Sequence, residues 1–239
     1  MTAEALQRLH LLQLVSPALP VGAFSYSEGL EVLVQRGRLA NAAAVEAWLL
    51  AELERGALTL EAASLPGLMT ALATWRRQEE ATATRWSARQ SVIARDGWLL
   101  AQREAPEMRA QQRQMGGSLL TLLADLGWPL PAGPPTRVRP LLAWPAAWAW
   151  ALLALAIPEQ TGLEAYLYGW VATQLSAAVR LVPLGPTEAQ RIQLRLAPRI
   201  AERAEALFGS GPEDLWSGGV GAGLAQLGHG ELYSRLFRS

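Results

Sequence analysis

The chain contains no cysteine and no lysine, and only two histidines, His10 and His229. The lack of cysteine excludes disulfides, thiolate metal sites and iron–sulfur clusters within this chain, and it is typical of a cytoplasmic protein. The lack of lysine excludes a P-loop of the usual form and a Schiff-base mechanism, since both need a lysine amine. All 21 basic residues are therefore arginines, and 21 acidic residues balance them, so there is no basic excess for binding nucleic acid.

Hydrophobic residues are abundant, at 51% of the chain, whereas charged residues make up only 18%. This composition supplies a packed core and is unlike that of a disordered protein. Ten tryptophans in 239 residues favour extensive helix packing or extensive contact with partners. Five prolines and two glycines form a loop over residues 127–140, but the sequence is similar in composition on both sides. We therefore expect one domain over residues 1–239.

Helix signals are frequent and strand signals are few, so we predict an all-α fold: a bundle of roughly ten helices with a flexible C-terminal tail. Asn41 is placed to cap one helix, and Pro106 to begin another. Ser25 and Thr161 each precede a glutamate by three residues, which predicts two capping boxes. Between residues 57 and 103 the pattern predicts two helices with a break near residues 66–67, and Pro198 predicts a kink in a late helix.

Residues 141–157 carry no charge and form the longest apolar run. Seventeen residues are at the short limit for a membrane-spanning helix, and Pro145 lies near the start of the run. The pattern favours a buried central helix. A membrane-associated helical protein is the alternative that this segment leaves open.

Motifs that carry chemistry are few: there is no H-E-x-x-H and no G-x-S-x-G. The glycine-rich residues 218–223 lack the spacing of a dinucleotide-binding loop and predict a connector or the start of a helix. His229 and Glu231 lie two apart, which offers two ligands to a metal such as nickel, but a closed site needs more. Ordinary hydrogen bonding by His229 is the simpler interpretation. We predict no catalytic residue and keep His229 as a weak metal candidate.

Two segments have the pattern of docking surfaces. Arg109 and Arg113 lie four apart on a predicted helix, which indicates either a partner-docking face or a solvated face. In residues 232–239, four large apolar side chains would share one face of a short helical turn, with Arg235 and Arg238 pointing away. So short a helix is unstable alone, so these apolar side chains require a groove on this protein or on a partner.

Four blocks of sequence resemble the urease accessory protein UreF family, in the order in which the family has them. They are residues 12–14 with 16–31 (SPALPVGAFSYSEGLE), residues 103–109 (REAPEMR) with 113–116 (RQMG), residues 179–185 (VRLVPLG) and residues 232–239 (LYSRLFRS). The chain departs from the family pattern at Pro186, where glutamine is usual, and at Gly230, where glutamate usually follows the histidine.

The resemblance implies an all-helical, dimerising, non-catalytic adaptor in the cytoplasm. Such proteins act with an accessory protein called UreD or UreH and with the GTPase UreG on urease apoprotein, and they support GTP-dependent insertion of nickel. Nickel and GTP would act in the wider complex, this chain would bind no cofactor itself, and regulation of the GTPase would be part of the same role. Residues 228–239 would be a tail that orders on the UreD-type partner. The candidate partner-binding residues are Tyr26, Glu28, Glu31, Arg109, Arg113, Arg180, Leu232, Tyr233, Arg235, Leu236, Phe237 and Arg238.

Overall fold

Ten α-helices and no strand make up the main regular structure in a computed structural model, which describes residues 2–77, 83–131 and 140–239. The all-α prediction is confirmed. Three 3₁₀-helices add to these, at Ala23–Ser25, Pro212–Asp214 and His229–Glu231. In chain order the α-helices are α1 Ala3–Leu14, α2 Leu30–Gln35, α3 Ala42–Arg55, α4 Ala57–Arg77, α5 Ala83–Ala101, α6 Pro106–Asp125, α7 Trp144–Ala154, α8 Glu159–Leu181, α9 Pro186–Phe208 and α10 Val220–Gly228.

Helix α4 is the centre of the bundle and packs against α3, α5, α7, α8 and α9. The predicted break near residues 66–67 is wrong, because α4 runs through Pro66 without interruption. An interior proline removes one backbone hydrogen bond and costs about 3 kcal/mol. Leu65, Leu68 and Leu72 are fully buried on either side of it, and their burial outweighs that cost. The predicted pair of helices is α4 and α5, and the residues that separate them lie outside the described ranges.

Helix α7 forms the middle of the uncharged run 141–157, for which a membrane span was the alternative. All its residues from Pro145 to Leu152 are buried within the bundle, as expected for a helix that is apolar on every side. Gly116 of α6 lets the two helices approach closely, since a Cβ there would collide with the backbone of Leu142 and Ala143. In the described part of the chain no single helix is long and apolar enough to cross a membrane. Among the described helices, α3 and α4 have the length and composition only when taken together, as a pair bent by 42°.

Helix boundaries agree with the sequence in some places and not in others. The Asn41 side chain accepts from the amide of Ala44 at 3.0 Å, and Pro106 is the first residue of α6, as predicted. Neither predicted capping box forms. Ser25 lies within a 3₁₀-helix, and Thr161 lies inside the first turn of α8, which begins two residues earlier. The glycine-rich segment becomes the start of α10, and α9 is one continuous helix through Pro198.

Candidate partner-docking site

The C-terminal segment lies against the loop that follows α1, and backbone hydrogen bonds fix it there. The amides of Ser27 and Glu28 donate to the backbone oxygen of Ser239 at 2.7 and 3.1 Å, and the Ser27 hydroxyl donates to the same oxygen at 2.7 Å. The amide of Arg238 donates to the carbonyl of Ser25 at 2.8 Å. The first and last sequence blocks that suggested the family are therefore in direct contact.

The Glu31 carboxylate receives the backbone of the C-terminal segment. It accepts from the amides of Leu236 and Phe237 at 2.8 and 3.1 Å, and its own side chain is buried. The predicted helical turn over these residues is wrong, because the amides that a helix would use bond to this carboxylate instead. The predicted flexible tail is not shown, since Phe237 and Ser239 are buried against the rest of the chain.

Phe237 is the apolar anchor of the segment, and Arg180 at the end of α8 covers it. The guanidinium carbon of Arg180 lies 4.5 Å from the centre of the Phe237 ring, a cation–π distance. The same arginine donates to the carbonyl of Phe24 at 3.2 Å. Arg180 therefore joins the end of α8 to the loop and to the C-terminal segment.

His229 is fully buried where α10 ends, and it faces two carboxylates. Its Nδ1 lies 2.7 Å from Glu107 of α6, which also accepts from Arg235 at 3.0 Å. Its Nε2 lies 3.5 Å from the Glu31 carboxylate and makes no hydrogen bond within the described ranges. Glu231 is exposed and does not join this group. In the described residues no set of three or more histidine, cysteine, aspartate or glutamate side chains is arranged to hold a metal ion.

Glu28 connects the segment to the interior of the bundle. It adopts a left-handed backbone conformation (φ 52°), which a side-chain-bearing residue adopts only under constraint. Its carboxylate accepts from the Gln111 amide at 2.7 Å and from the Trp170 indole at 3.0 Å. Burial raises the pKa of the Glu28 carboxyl, against the opposing effects of nearby Arg103 and the Trp170 hydrogen bond. The Ser239 hydroxyl donates to the amide oxygen of the Gln111 side chain, whose nitrogen donates to Glu28.

The remaining candidates lie at different places. Tyr26 is buried and donates to Gln114 of α6 at 2.7 Å. Arg109 donates to the carbonyls of Arg103 and Glu104, so it stabilises the turn before α6. Arg113 donates to Asp96 and to the carbonyl of Leu141. Both arginines are half-buried, and their hydrogen-bond partners in the described part of the chain lie outside the C-terminal segment.

Beside the docked segment, α10 exposes an apolar stripe. Its buried face, which includes Ala222 and Ala225, packs on α2, where Gly29 allows the close approach. The opposite face and the flanking chain carry large apolar side chains in solvent, which we name the C-terminal apolar face: Trp216, Val220, Leu224, Leu227, Tyr233 and Leu236. Tyr233 is fully exposed, and Leu232 and Arg238 lie beside these residues in the chain. Exposed apolar side chains that share one helical face, as Val220, Leu224 and Leu227 do, are typical of interaction surfaces.

Ser27, Gln111 and Trp170 are among the residues of this site that the sequence did not single out. Each makes its contact with a residue 83 to 212 positions away. No local spacing encodes such contacts. The one available signal was that Ser27 lies within the loop block that resembles the family.

Comparison with known proteins gives a consistent result over the whole chain. The UreF family profile matches residues 39–197. A urease accessory protein UreF of Alkalilimnicola ehrlichii is 40% identical over 238 residues, covering 100% of this chain and 98% of that protein. The UreF protein of Synechocystis sp. is 39% identical, covering 97% and 98%. That of Ralstonia pickettii is 38% identical, covering 99% of both. This chain therefore belongs to the urease accessory protein UreF family.

Proposed function

We propose that this chain is a non-catalytic adaptor in urease maturation. It would hold a UreD-type (UreH) accessory protein and the GTPase UreG on urease apoprotein while nickel is inserted in a GTP-dependent step. GTP hydrolysis would belong to UreG, with this chain regulating it, and nickel would be cargo of the complex. The protein would work in the cytoplasm as a homodimer built from one domain per chain.

The observation that carries the proposal is the C-terminal apolar face beside the docked segment. Val220, Leu224 and Leu227 recur at the spacing of one helical face and stay in solvent, although their helix is packed on its other side. Tryptophan and tyrosine, both present in this face, are enriched at the energetic centres of protein interfaces. A helix with one exposed apolar face fits the docking of a partner.

The segment and the face make the UreD-type protein the first partner to test. Arg235, Phe237 and Arg238 would contribute through the position of the segment, because Glu107, Arg180 and Glu31 fix it in the observed arrangement. Arg109 and Arg113 would act indirectly, by holding the turn before α6 and the chain before α7 in place.

The test is a pull-down with the UreD-type protein from the same operon, together with urease activity in nickel-supplied cells that lack their own UreF gene. Leu224→Ser and Tyr233→Ala remove exposed side chains and leave the core intact, so we expect each to weaken partner binding at least tenfold. Leu194→Ser removes a leucine of α9 that is even more exposed than Leu224, at 74% against 59%, and serves as the matched control. A chain ending at Gly228 that still binds at full affinity would contradict the proposed role of the segment.

A further inference from the structure

A cavity of about 440 Å³ lies between the loop after α1 and helices α6, α7 and α8. Phe24 and Tyr168 line it and are themselves exposed, so the cavity opens to solvent beside them. Its volume is within the range of pockets that bind small molecules. The C-terminal apolar face is not part of its lining.

Aromatic rings form much of the wall. The rings of Trp144 and Trp148 lie 5.4 Å apart, and Tyr166 meets Trp148 edge to face at 5.7 Å. Trp170 continues the lining on α8 and contacts Trp48 behind it at 5.8 Å. Indole and phenol rings attract cations through the negative charge on their faces.

Two carboxylates and one unpaired amide oxygen are among the polar groups of the lining. Glu28 and Glu61 contribute carboxylates, and both are buried. Gln112 is only 4% exposed, and its Nε2 donates to Glu61 at 3.3 Å. Its Oε1 has no hydrogen-bond partner among the residues that the structure describes. An unpaired buried acceptor is unfavourable, so this atom favours a ligand that donates.

The charges around the cavity do not balance. Arg103 donates to Glu61 from two of its nitrogens, and Tyr166 donates to the same carboxylate at 2.8 Å. Among the described residues, the donors to the Glu28 carboxylate are the neutral groups of Gln111 and Trp170. No arginine or histidine is among the described residues that line the cavity. Two carboxylates therefore share one guanidinium, and an ionised Glu28 has no cation of its own.

We propose that this cavity binds a small organic cation with N–H donors, of the primary alkylammonium or guanidinium class. The charged head donates to Gln112 Oε1 and lies beside the Glu28 carboxylate, and the apolar part contacts the tryptophans. This site is separate from the adaptor function and does not depend on it. The same chemistry is available from a free amine or from a lysine or arginine side chain of a partner.

Calorimetric titration of the full chain with n-butylammonium chloride tests the proposal, at constant ionic strength set with sodium chloride. We expect saturable binding at one site per chain. Tetramethylammonium lacks N–H donors and butan-1-ol lacks charge, so we expect each to bind at least tenfold more weakly. Absence of saturable butylammonium binding, or equal binding of butan-1-ol, overturns the proposal. An N-acetyl-lysine amide that binds as tightly as butylammonium would assign the site to a partner side chain, and one that binds far more weakly would assign it to a free amine.

Two variants locate the binding. Glu28→Gln removes the unbalanced charge and should weaken butylammonium at least tenfold, whereas the exposed control Glu205→Gln should leave it unchanged. Because Glu28 also fixes the local backbone, a second variant leaves it intact. Gly169 lines the cavity on α8, and a Cβ added there meets no atom within 4 Å, so Gly169→Leu can project into open space. We expect Gly169→Leu to abolish binding without lowering the melting temperature. Unchanged affinity in this variant and in any folded Glu28→Gln protein would show that the ligand binds elsewhere.

Discussion

Arginine and glutamate meet in two regions of this molecule, in opposite surroundings. In the interior, Arg103 and Glu61 pair with both side chains only 5% exposed. On the surface, Arg195 of α9 bridges Glu46 of α3 and Glu188 at 2.8 to 3.1 Å, with its side chain 48% exposed. The interior pair also receives hydrogen bonds from Tyr166 and Gln112. Because the interior pair is buried, removing any one of its partners leaves a charge that water cannot solvate. Water and salt instead weaken the attraction between the charges of the surface pair.

The largest effect should follow from breaking the interior pair. Arg103→Met leaves the Glu61 carboxylate buried without its cation, and we expect the free energy of unfolding at pH 7 to fall by about 3–5 kcal/mol. Urea denaturation followed by far-ultraviolet circular dichroism measures this change. Adding Glu61→Leu to Arg103→Met should restore part of the loss, since the unpaired charge is then gone. A loss below about 1 kcal/mol for the single variant would mean that water reaches this pair.

Arg180 offers a third environment for arginine, in which its partner is an aromatic ring. Phe237→Ala removes the buried ring of the C-terminal segment and should lower the free energy of opening that segment by about 2 kcal/mol, below the range for a central core site. Hydrogen exchange of the Leu236 and Phe237 amides measures it. Phe237→Leu keeps apolar volume and loses the cation–π contact, so its effect should be about 0.5–1 kcal/mol. Equal exchange in both variants and in the parent would show that the segment is held by its backbone alone.

Glu52 sharpens the comparison, because its carboxylate is largely buried but accepts no hydrogen bond from the residues that the structure describes. Burial raises the pKa of its carboxyl from 4.5 to about 7. The folded state therefore binds this proton more tightly than the unfolded chain, and the stability it gives declines as the pH rises from about 4.5 to 7. Glu52→Gln should match the parent at pH 4 and exceed it by about 1–2 kcal/mol at pH 8. Denaturation at both pH values, with Glu205→Gln as control, checks the sign; a variant that is less stable at pH 8 would refute it.

The smallest effect should come from the surface. Arg195→Met removes contacts to two half-buried glutamates and should lower the free energy of unfolding only slightly, and by less than any of the changes above. In 0.5 M sodium chloride the difference from the parent should largely disappear, whereas that of Arg103→Met should persist. A salt-independent loss at Arg195 would indicate that its apolar stem, and not its charge, carries the contribution.

Local signals in the sequence located helices well where the local chemistry was decisive. Pro106 began a helix and Asn41 capped one, because each acts on amides within three residues of itself. Pro66 did not end a helix, because the packing of α4 against five other helices outweighs the preference of proline to interrupt one. Ser25 and Thr161 have the spacing of caps, but tertiary contacts placed the helix starts elsewhere.

The site was predictable in part. The loop block and the C-terminal block were recognised separately, but their contact through Glu31 and Ser239 joins residues about 200 positions apart, which no spacing reveals. The four apolar side chains of the C-terminal segment did indicate a groove, and Phe237 occupies one on this chain while Tyr233 stays in solvent. The cavity was not predictable, because the acceptors Glu28, Glu61 and Gln112 come from three different segments.

The Gln111 side chain faces two ways, and this has a thermodynamic consequence. Its oxygen accepts from the Ser239 hydroxyl while its nitrogen donates to Glu28 at the cavity. Because the amide is planar, a rotation that moves its oxygen away from Ser239 also moves its nitrogen relative to Glu28. Lifting the segment should therefore alter the affinity of the cavity for its ligand, and ligand in the cavity should alter the ease of lifting by the same factor, since such coupling is reciprocal.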